Sequence, residues 1–272
     1  MKDQDCTQFL QWSLPQLRMR WQGFRKVRGQ VCKRIDRRLR ELGQADTAAY
    51  RSYLENNKEE WTVLDSLCRV TISRFYRDRE VFRFIEHEVL VKLSEAATAR
   101  GESELRCWSI GCASGEEPYT LAILWDLGAG RKFQALKLTI LATDADRGMI
   151  ERAEEGCYSS GSLAELPPIW KIRPFDQRDG SYCIKAEQRD KVTFLAQDIR
   201  TNAPEGPFHL ILCRNVAFTY FDPRLQRDIL LRLIEKLVPG GALVIGAHEA
   251  LPVGAAGLSA RPGSPCVYWK RD

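Results

Sequence analysis

The chain has 272 residues, 44% of them hydrophobic and 28% charged, with a formal net charge of +5 at pH 7. That length can bury a substantial core in one large domain or two modest ones, and no apolar run approaches the ~20 residues of a membrane span. The N-terminal Met1-Lys-Asp-Gln-Asp5 has no signal-peptide pattern, and the nine cysteines include no C-x-x-C pair. This odd count argues against a disulfide framework and for reduced thiols in a cytoplasmic protein.

In chain order, the first eighty residues read as helical. Val27, Val31, Ile35, Leu39 and Leu42 recur at three- and four-residue spacing, giving an apolar stripe opposite a basic face. Arg18, Arg20, Arg25, Lys26, Arg28, Lys33, Arg34, Arg37, Arg38 and Arg40 crowd this segment. Such a face is either a solvated surface or an attraction for an acidic partner. Nucleic acid is the weaker reading, because Trp21 and Phe24 make no regular stacking array. Gly43 is the expected helix stop and Asp46 the expected cap of a helix through Tyr50, Tyr53 and Leu54. Trp61 to Val70 is a further apolar stretch.

From Leu105 the pattern becomes strand and helix in alternation. Strands are predicted at Leu105–Ile110, Leu138–Thr143, Val192–Ala196, His209–Cys213 and Ala242–Gly246. Helices are predicted at Pro118–Leu127, Arg147–Glu155 and Pro223–Leu237. The alternation implies an α/β fold with a parallel sheet covered by helices on both faces. Tyr158 to Lys191 interrupts it and reads as a short helix and a small antiparallel hairpin. Pro239-Gly240-Gly241 reads as a helix exit turned sharply into a strand, and the tail from Pro262-Gly263 onward as a closing hairpin.

The most informative segment is Gly111-Cys-Ala-Ser-Gly-Glu-Glu-Pro-Tyr119, a glycine-bracketed turn between a strand and a helix. There backbone can approach a ligand closely and helix-start N–H groups are available. Asp144 ends the next strand, where an acid in nucleotide-binding sheets accepts hydrogen bonds from ribose hydroxyls. The turn lacks the three-glycine dinucleotide fingerprint, and no lysine follows it as in a phosphate loop. The ligand is therefore adenosine-like without a pyrophosphate, and S-adenosylmethionine fits better than NAD or ATP. Three dispersed histidines (His87, His209, His248) have no zinc-ligand spacing, so no metal site is expected.

With these segments in order, the chain resembles the CheR-type chemotaxis receptor methyltransferases over almost its full length. The matching motifs are Ser73-Arg-Phe-Tyr-Arg77, Gly111 to Tyr119, Ala142-Thr-Asp-Ala-Asp146, and Cys213-Arg-Asn-Val216 continuing into Tyr220-Phe-Asp222. Pro239-Gly-Gly241 ahead of Gly246-Ala-His-Glu249 completes them. The resemblance implies a Rossmann-like class I methyltransferase sheet with an N-terminal helical domain (1–80). It also implies an S-adenosylmethionine-binding domain (81–272) that carries a small inserted β-subdomain (158–191). By the same resemblance the methyl of S-adenosylmethionine passes to receptor glutamate carboxylates, leaving S-adenosylhomocysteine. Ser73, Arg77, Gly111, Glu117 and Asp144 would hold the cofactor, Asp198 and Ile199 would flank the adenine, and Cys213, Arg214 and Asn215 would line the pocket. Arg77 and Tyr220 would sit nearest the transferred methyl.

Those residue types suit the chemistry. In-line transfer from a sulfonium mainly requires alignment of donor and acceptor. A carboxylate acceptor is already ionised at neutral pH, and an arginine of fixed charge can orient it. Taken singly, Arg77 would read as an ordinary ion pair and Tyr220 as a packed aromatic. Cys112 and Cys213 read as pocket walls, since direct transfer needs no covalent intermediate. His248-Glu249 reads as structural.

The chain departs from the family pattern in three places. The tyrosine follows Asn215 by five residues instead of four, so the loop bulges or Thr219 takes the tyrosine's place. This leaves room for a small-molecule acceptor as the alternative to a protein, and a catalytically idle cofactor-binding adaptor is the third reading. Ser73 and Tyr76 replace threonine and phenylalanine, a mild change. The turn Arg178-Asp-Gly-Ser-Tyr182 is shorter than in members that dock a receptor-tail peptide there, which disfavours such docking.

Overall fold

The computed structural model describes residues 2–254, 256–261 and 263–271, and the chain divides into two compact units. One takes the chain through Val70 together with Thr219–Gln226; the other takes Thr71–Phe218 and the chain from Arg227.

The first unit is helical, with longer helices at Asp3–Ser13, Arg28–Glu41, Thr47–Asn56 and Glu60–Leu67. In the second of these the apolar stripe buries Val31, Ile35 and Leu39. Gly43 follows at φ +65°, a conformation that costs a glycine nothing, and Asp46 caps the next helix by accepting the Ala49 N–H at 2.8 Å. Glu60 joins three helices. It accepts from Arg38 at 2.9 and 2.8 Å and from the Tyr50 hydroxyl at 2.8 Å. Part of the basic face is neutralised internally, since Arg28, Arg37 and Arg40 pair with Asp3, Glu41 and Asp36.

The second unit is built on strands β1 (Glu104–Ile110), β2 (Lys137–Asp144), β3 (Cys157–Tyr158), β4 (Phe175–Arg178), β5 (Ser181–Ile184), β6 (Val192–Ala196), β7 (Phe208–Cys213), β8 (Leu237–Ile245), β9 (Leu258–Arg261) and β10 (Ser264–Lys270). Seven form one sheet in the order β6-β2-β1-β7-β8-β10-β9. The pairs from β6 through β8 are parallel, and β10 is antiparallel to both its neighbours. The chain runs outward from β1 through β2 to β6, then returns to place β7 on the other side of β1. Such a reversal opens a crevice at the carboxyl ends of the central strands. Helices Glu116–Leu127 and Arg147–Glu155 pack against β2 and β6, whereas the helix Leu90–Ala99 packs on β1 and β8. β1 and β7 are almost wholly buried, so they read as continuous apolar runs.

The insertion is a three-stranded antiparallel sheet in the order β3-β5-β4, with the short helix Ile169–Ile172 between β3 and β4. Asp179 (φ +48°) and Gly180 (φ +77°) make a two-residue turn between β4 and β5, the left-handed pair that a tight hairpin requires.

Two expectations need correction. Pro239-Gly240-Gly241 is not a helix exit: the helix Pro223–Lys236 gives way directly to β8 at Leu237, and the three residues lie inside that strand. Phe208 faces Leu237 but Leu210 already faces Ala242, so the intervening residues bulge from the ladder. Pro239 has no N–H to give, and Gly240 adopts φ +69°. The cysteines are not all reduced either. Cys6 bridges Cys32 between two helices of the first unit, and Cys157 bridges Cys183 across β3 and β5. An odd count leaves at least one thiol over but does not prevent pairing among the rest. Folding brings these Cα atoms to 5.9 and 4.0 Å, while the five remaining cysteines are buried and free. The closing hairpin forms as β9 and β10, with Pro262 lying outside the described residues.

Candidate functional site

At the carboxyl end of β1 the chain turns through Gly111 (φ +68°), Ala113 (φ +47°) and Gly115 (φ +91°) into the helix Glu116–Leu127. The Gly111 and Cys112 N–H groups both donate to the Thr143 carbonyl, at 2.7 and 3.1 Å. A Cβ on Gly111 would stand 2.3 Å from Val216 Cγ2, and one on Gly115 would stand 3.0 Å from Ala153 Cβ and from the Tyr158 hydroxyl. Both glycines are thus required by crowding as well as by φ. The insertion braces the turn from outside, because the Tyr158 hydroxyl donates to the Ser114 carbonyl at 2.7 Å.

Three carboxylates gather around this turn. Asp144 accepts the Ala113 N–H at 2.9 Å on one oxygen and the Asp146 N–H at 2.8 Å on the other. Glu116 is buried and accepts from the Ser114 and Ser162 hydroxyls at 2.9 and 3.0 Å. Glu117 accepts from the Ser109 hydroxyl and from Arg214, each at 2.9 Å. Burial pushes the Glu117 carboxyl above its ordinary range, while the Arg214 charge and these hydrogen bonds pull it back.

Arg77 lies between two residues in left-handed conformation, Tyr76 (φ +59°) and Asp78 (φ +62°). Outside glycine such angles persist only where the surroundings enforce them. Here the Tyr76 N–H donates to the Thr120 hydroxyl at 3.0 Å, and the Phe75 N–H to the Ser162 carbonyl at 3.1 Å. The Phe75 ring meets Tyr158 and Phe175 edge-on in the insertion. The third restraint is Arg214, whose side chain is 2% exposed. Its guanidinium donates to the Arg77 carbonyl at 2.9 Å, to Asp78 at 2.8 Å and to Glu117 at 2.9 Å, and lies 4.7 Å from the centre of the Phe82 ring. The Arg77 side chain donates to the Ile72 carbonyl at 3.0 Å, and its charge helps to lower the Glu117 carboxyl. Ser73 is half-buried on the same segment.

Asp198 and Ile199 follow β6, whose end lies beside that of β2, with Ala196 opposite Asp144. Asp198 pairs with Arg200 at 2.6 Å, and Ile199 is buried with its carbonyl held by Arg232 at 2.9 Å. Cys213 ends β7 fully buried, and burial drives its thiol and that of Cys112 well above the usual range, so neither is a ready nucleophile. Asn215 (φ +57°) comes next, its N–H held by Glu249 at 2.8 Å. The residues after it wind into a helical turn, Ala217–Tyr220.

Tyr220 belongs to the first unit, where its ring lies 5.1 Å from that of Phe24. There the Arg20 N–H donates to the Tyr220 carbonyl at 2.8 Å, and the Arg20 side chain to the Thr219 carbonyl at 3.0 Å. In the second unit, the motifs from Ser73 to Asn215 converge on the carboxyl ends of β1, β2, β6 and β7. Asp78, Glu116 and Glu249 were not singled out as site residues. Asp78 directly follows a quoted motif and Glu116 lies inside one, yet only the folded chain reveals their partners.

A family model described as the CheR methyltransferase SAM binding domain matches residues 71–261. The chain is 33% identical over 202 residues to a chemotaxis protein methyltransferase of Listeria innocua, covering 73% of this chain and 74% of that one. It is 36% identical over 182 residues to chemotaxis protein methyltransferase 1 of Pseudomonas aeruginosa, covering 65% of each. An uncharacterized 104.1 kDa protein of Rhodobacter capsulatus is 33% identical over 223 residues, a match that covers 82% of this chain but only 23% of that longer protein.

Proposed function

The chain belongs to the CheR methyltransferase family, and from that premise we propose that it methylates a carboxylate on a protein, a glutamate side chain by analogy with its chemotaxis relatives. Its cofactor is S-adenosylmethionine, which when bound supplies a methyl group activated on a sulfonium. The donor set suits such a cationic, diol-bearing group. Asp144 accepts the Ala113 and Asp146 amides, one on each oxygen, and an ionised carboxylate is the acceptor-only group that takes ribose hydroxyls at a strand end. Glu117 adds buried negative charge at the start of the helix that follows the glycine turn.

The protein's own part is alignment. Arg77 orients the incoming carboxylate through its planar guanidinium, and the acceptor needs no general base. Ser73, Gly111, Asp198, Ile199, Cys213, Arg214 and Asn215 complete the cofactor pocket in this reading. The observation that carries the proposal is the Arg77 segment. Its two left-handed residues and its tie through Arg214 to Glu117 give one arginine a fixed backbone linked to the cofactor side of the site.

The acceptor protein is acidic at its docking surface, to match the arginine-rich first unit. Among the described residues, no helix is long and apolar enough to cross a membrane. Methyl-labelled cofactor incubated with the protein and a lysate tests the reading. Base-labile label on protein, released as methanol, is the expected result. Base-stable label would indicate N-methylation, label on small molecules would indicate a metabolite acceptor, and no label would indicate an idle adaptor; each would overturn the carboxylate proposal.

A further inference from the structure

Strands β7 and β8 run parallel, with Cys213 opposite Ile245, so the segments leaving them emerge side by side. One carries Asn215 and the other Gly246 to Glu249. A single carboxylate oxygen of Glu249 joins the two exits, accepting the Asn215 N–H at 2.8 Å and the Gly246 N–H at 2.7 Å. Asn215 is left-handed at φ +57°, which asparagine tolerates better than most residues but which still needs support from its surroundings. Gly246 leaves no room for anything larger: a Cβ there would sit 2.7 Å from Asn215 Oδ1 and 2.8 Å from Glu249 Oε2. The Asn215 amide side chain thus lies over a bare backbone, and the peptide behind it is fixed by an arm from the neighbouring strand exit.

We propose that Glu249 is a positioning residue for the cofactor pocket, holding Asn215 in its left-handed conformation by bridging the Asn215 and Gly246 amides. The inference rests on the reading above that Asn215 lines that pocket. The two donors that this bridge joins are neutral backbone N–H groups, so what the bridge asks of Glu249 is an acceptor oxygen. A glutamine can present a carbonyl oxygen from the same arm length; alanine leaves both N–H groups without that partner, and aspartate is one methylene too short.

The test is calorimetric titration of the whole chain with S-adenosylhomocysteine, beside an NMR measurement on protein labelled with 15N-asparagine. The chain contains four asparagines (Asn56, Asn57, Asn202 and Asn215), so the Asn215 amide is easily assigned. Glu249→Ala is expected to weaken binding by about tenfold, in line with the loss of an acceptor shared by two backbone donors, and to shift the Asn215 amide signal. Glu249→Gln is expected to restore binding to within about twofold of wild type, a rescue that a charge-based role would not give. Should Glu249→Ala not fold, Glu249→Asp must show the same loss. Wild-type affinity in the alanine or aspartate variant, or equal losses in alanine and glutamine, would overturn the proposal, provided Asp144→Ala weakens binding in the same assay. If the wild-type protein does not bind S-adenosylhomocysteine at all, it is the functional reading that fails.

Discussion

Among single residues, the proposed reaction assigns binding to Asp144 and transfer to Arg77, and their replacements should separate the two. Asp144 presents both carboxylate oxygens at the end of β2, one of them bonded to the turn that starts at Gly111. Asp144→Ala is therefore expected to lose roughly 1–3 kcal/mol of S-adenosylhomocysteine affinity, measured by calorimetry. Part of that loss would come through the released Ala113 amide, so Asp144→Asn, which keeps one acceptor oxygen, should lose less. Arg77 donates to the Ile72 carbonyl of its own segment, and in the proposed reaction its guanidinium orients the acceptor. Arg77→Ala should largely abolish methyl transfer in the labelling assay, and near-wild-type turnover would refute its assigned role. Glu117 and Asp144 are legible in the sequence as candidates, because an acid after a glycine turn or at a strand end is a recurrent acceptor for ribose hydroxyls. The work of Arg214 was not. Its motif suggested a pocket lining, but its guanidinium is occupied by Glu117, Asp78 and the Arg77 carbonyl, partners from 97 to 137 positions away.

Among elements, periodicity carried the fold where one pattern dominated. Val192–Ala196 and Arg147–Glu155 form with the bounds read from the sequence, since a short apolar run between polar turns and a capped amphipathic stretch leave little alternative. Pro239-Gly240-Gly241 misled because the same residues serve a helix exit and a strand bulge, and the choice depends on how β7 pairs with β8. The Glu60 junction was likewise invisible, being made by side chains from three helices. Arg38 holds the Glu60 carboxyl below its usual range, assisted by Tyr50 and opposed by burial. A carboxylate lowered by folding contributes stability above its unfolded pKa of about 4.3, and that contribution is lost as pH falls through the folded value. Glu60→Gln should thus cost roughly 2–3 kcal/mol in urea denaturation at pH 7. The gap should close once acid has protonated Glu60 in the wild type; an equal gap at pH 7 and in strong acid would show that its charge is not involved.

For the molecule as a whole, the two disulfides are the least legible feature, because pairing depends on which of nine cysteines the fold brings together. Cys6–Cys32 and Cys157–Cys183 each close a loop with a sequence separation of 26, one in the helical unit and one in the insertion. Loop closure of that length removes enough freedom from the unfolded chain to stabilise by about 3 kcal/mol per bridge in the chain-entropy account. The second bridge also lies beside the site, since Tyr158, next to Cys157, holds the Ser114 carbonyl of the glycine turn. Thiol titration of protein denatured without reductant should find the five free cysteines, and nine after reduction. Reduction should lower the melting temperature by several degrees, and Cys6→Ser should remove the share that belongs to the first bridge. Nine thiols before reduction would mean that the compartment in which the chain is made keeps both pairs open. The insertion would then depend on its hairpin and the Phe75, Tyr158 and Phe175 cluster alone to brace the turn.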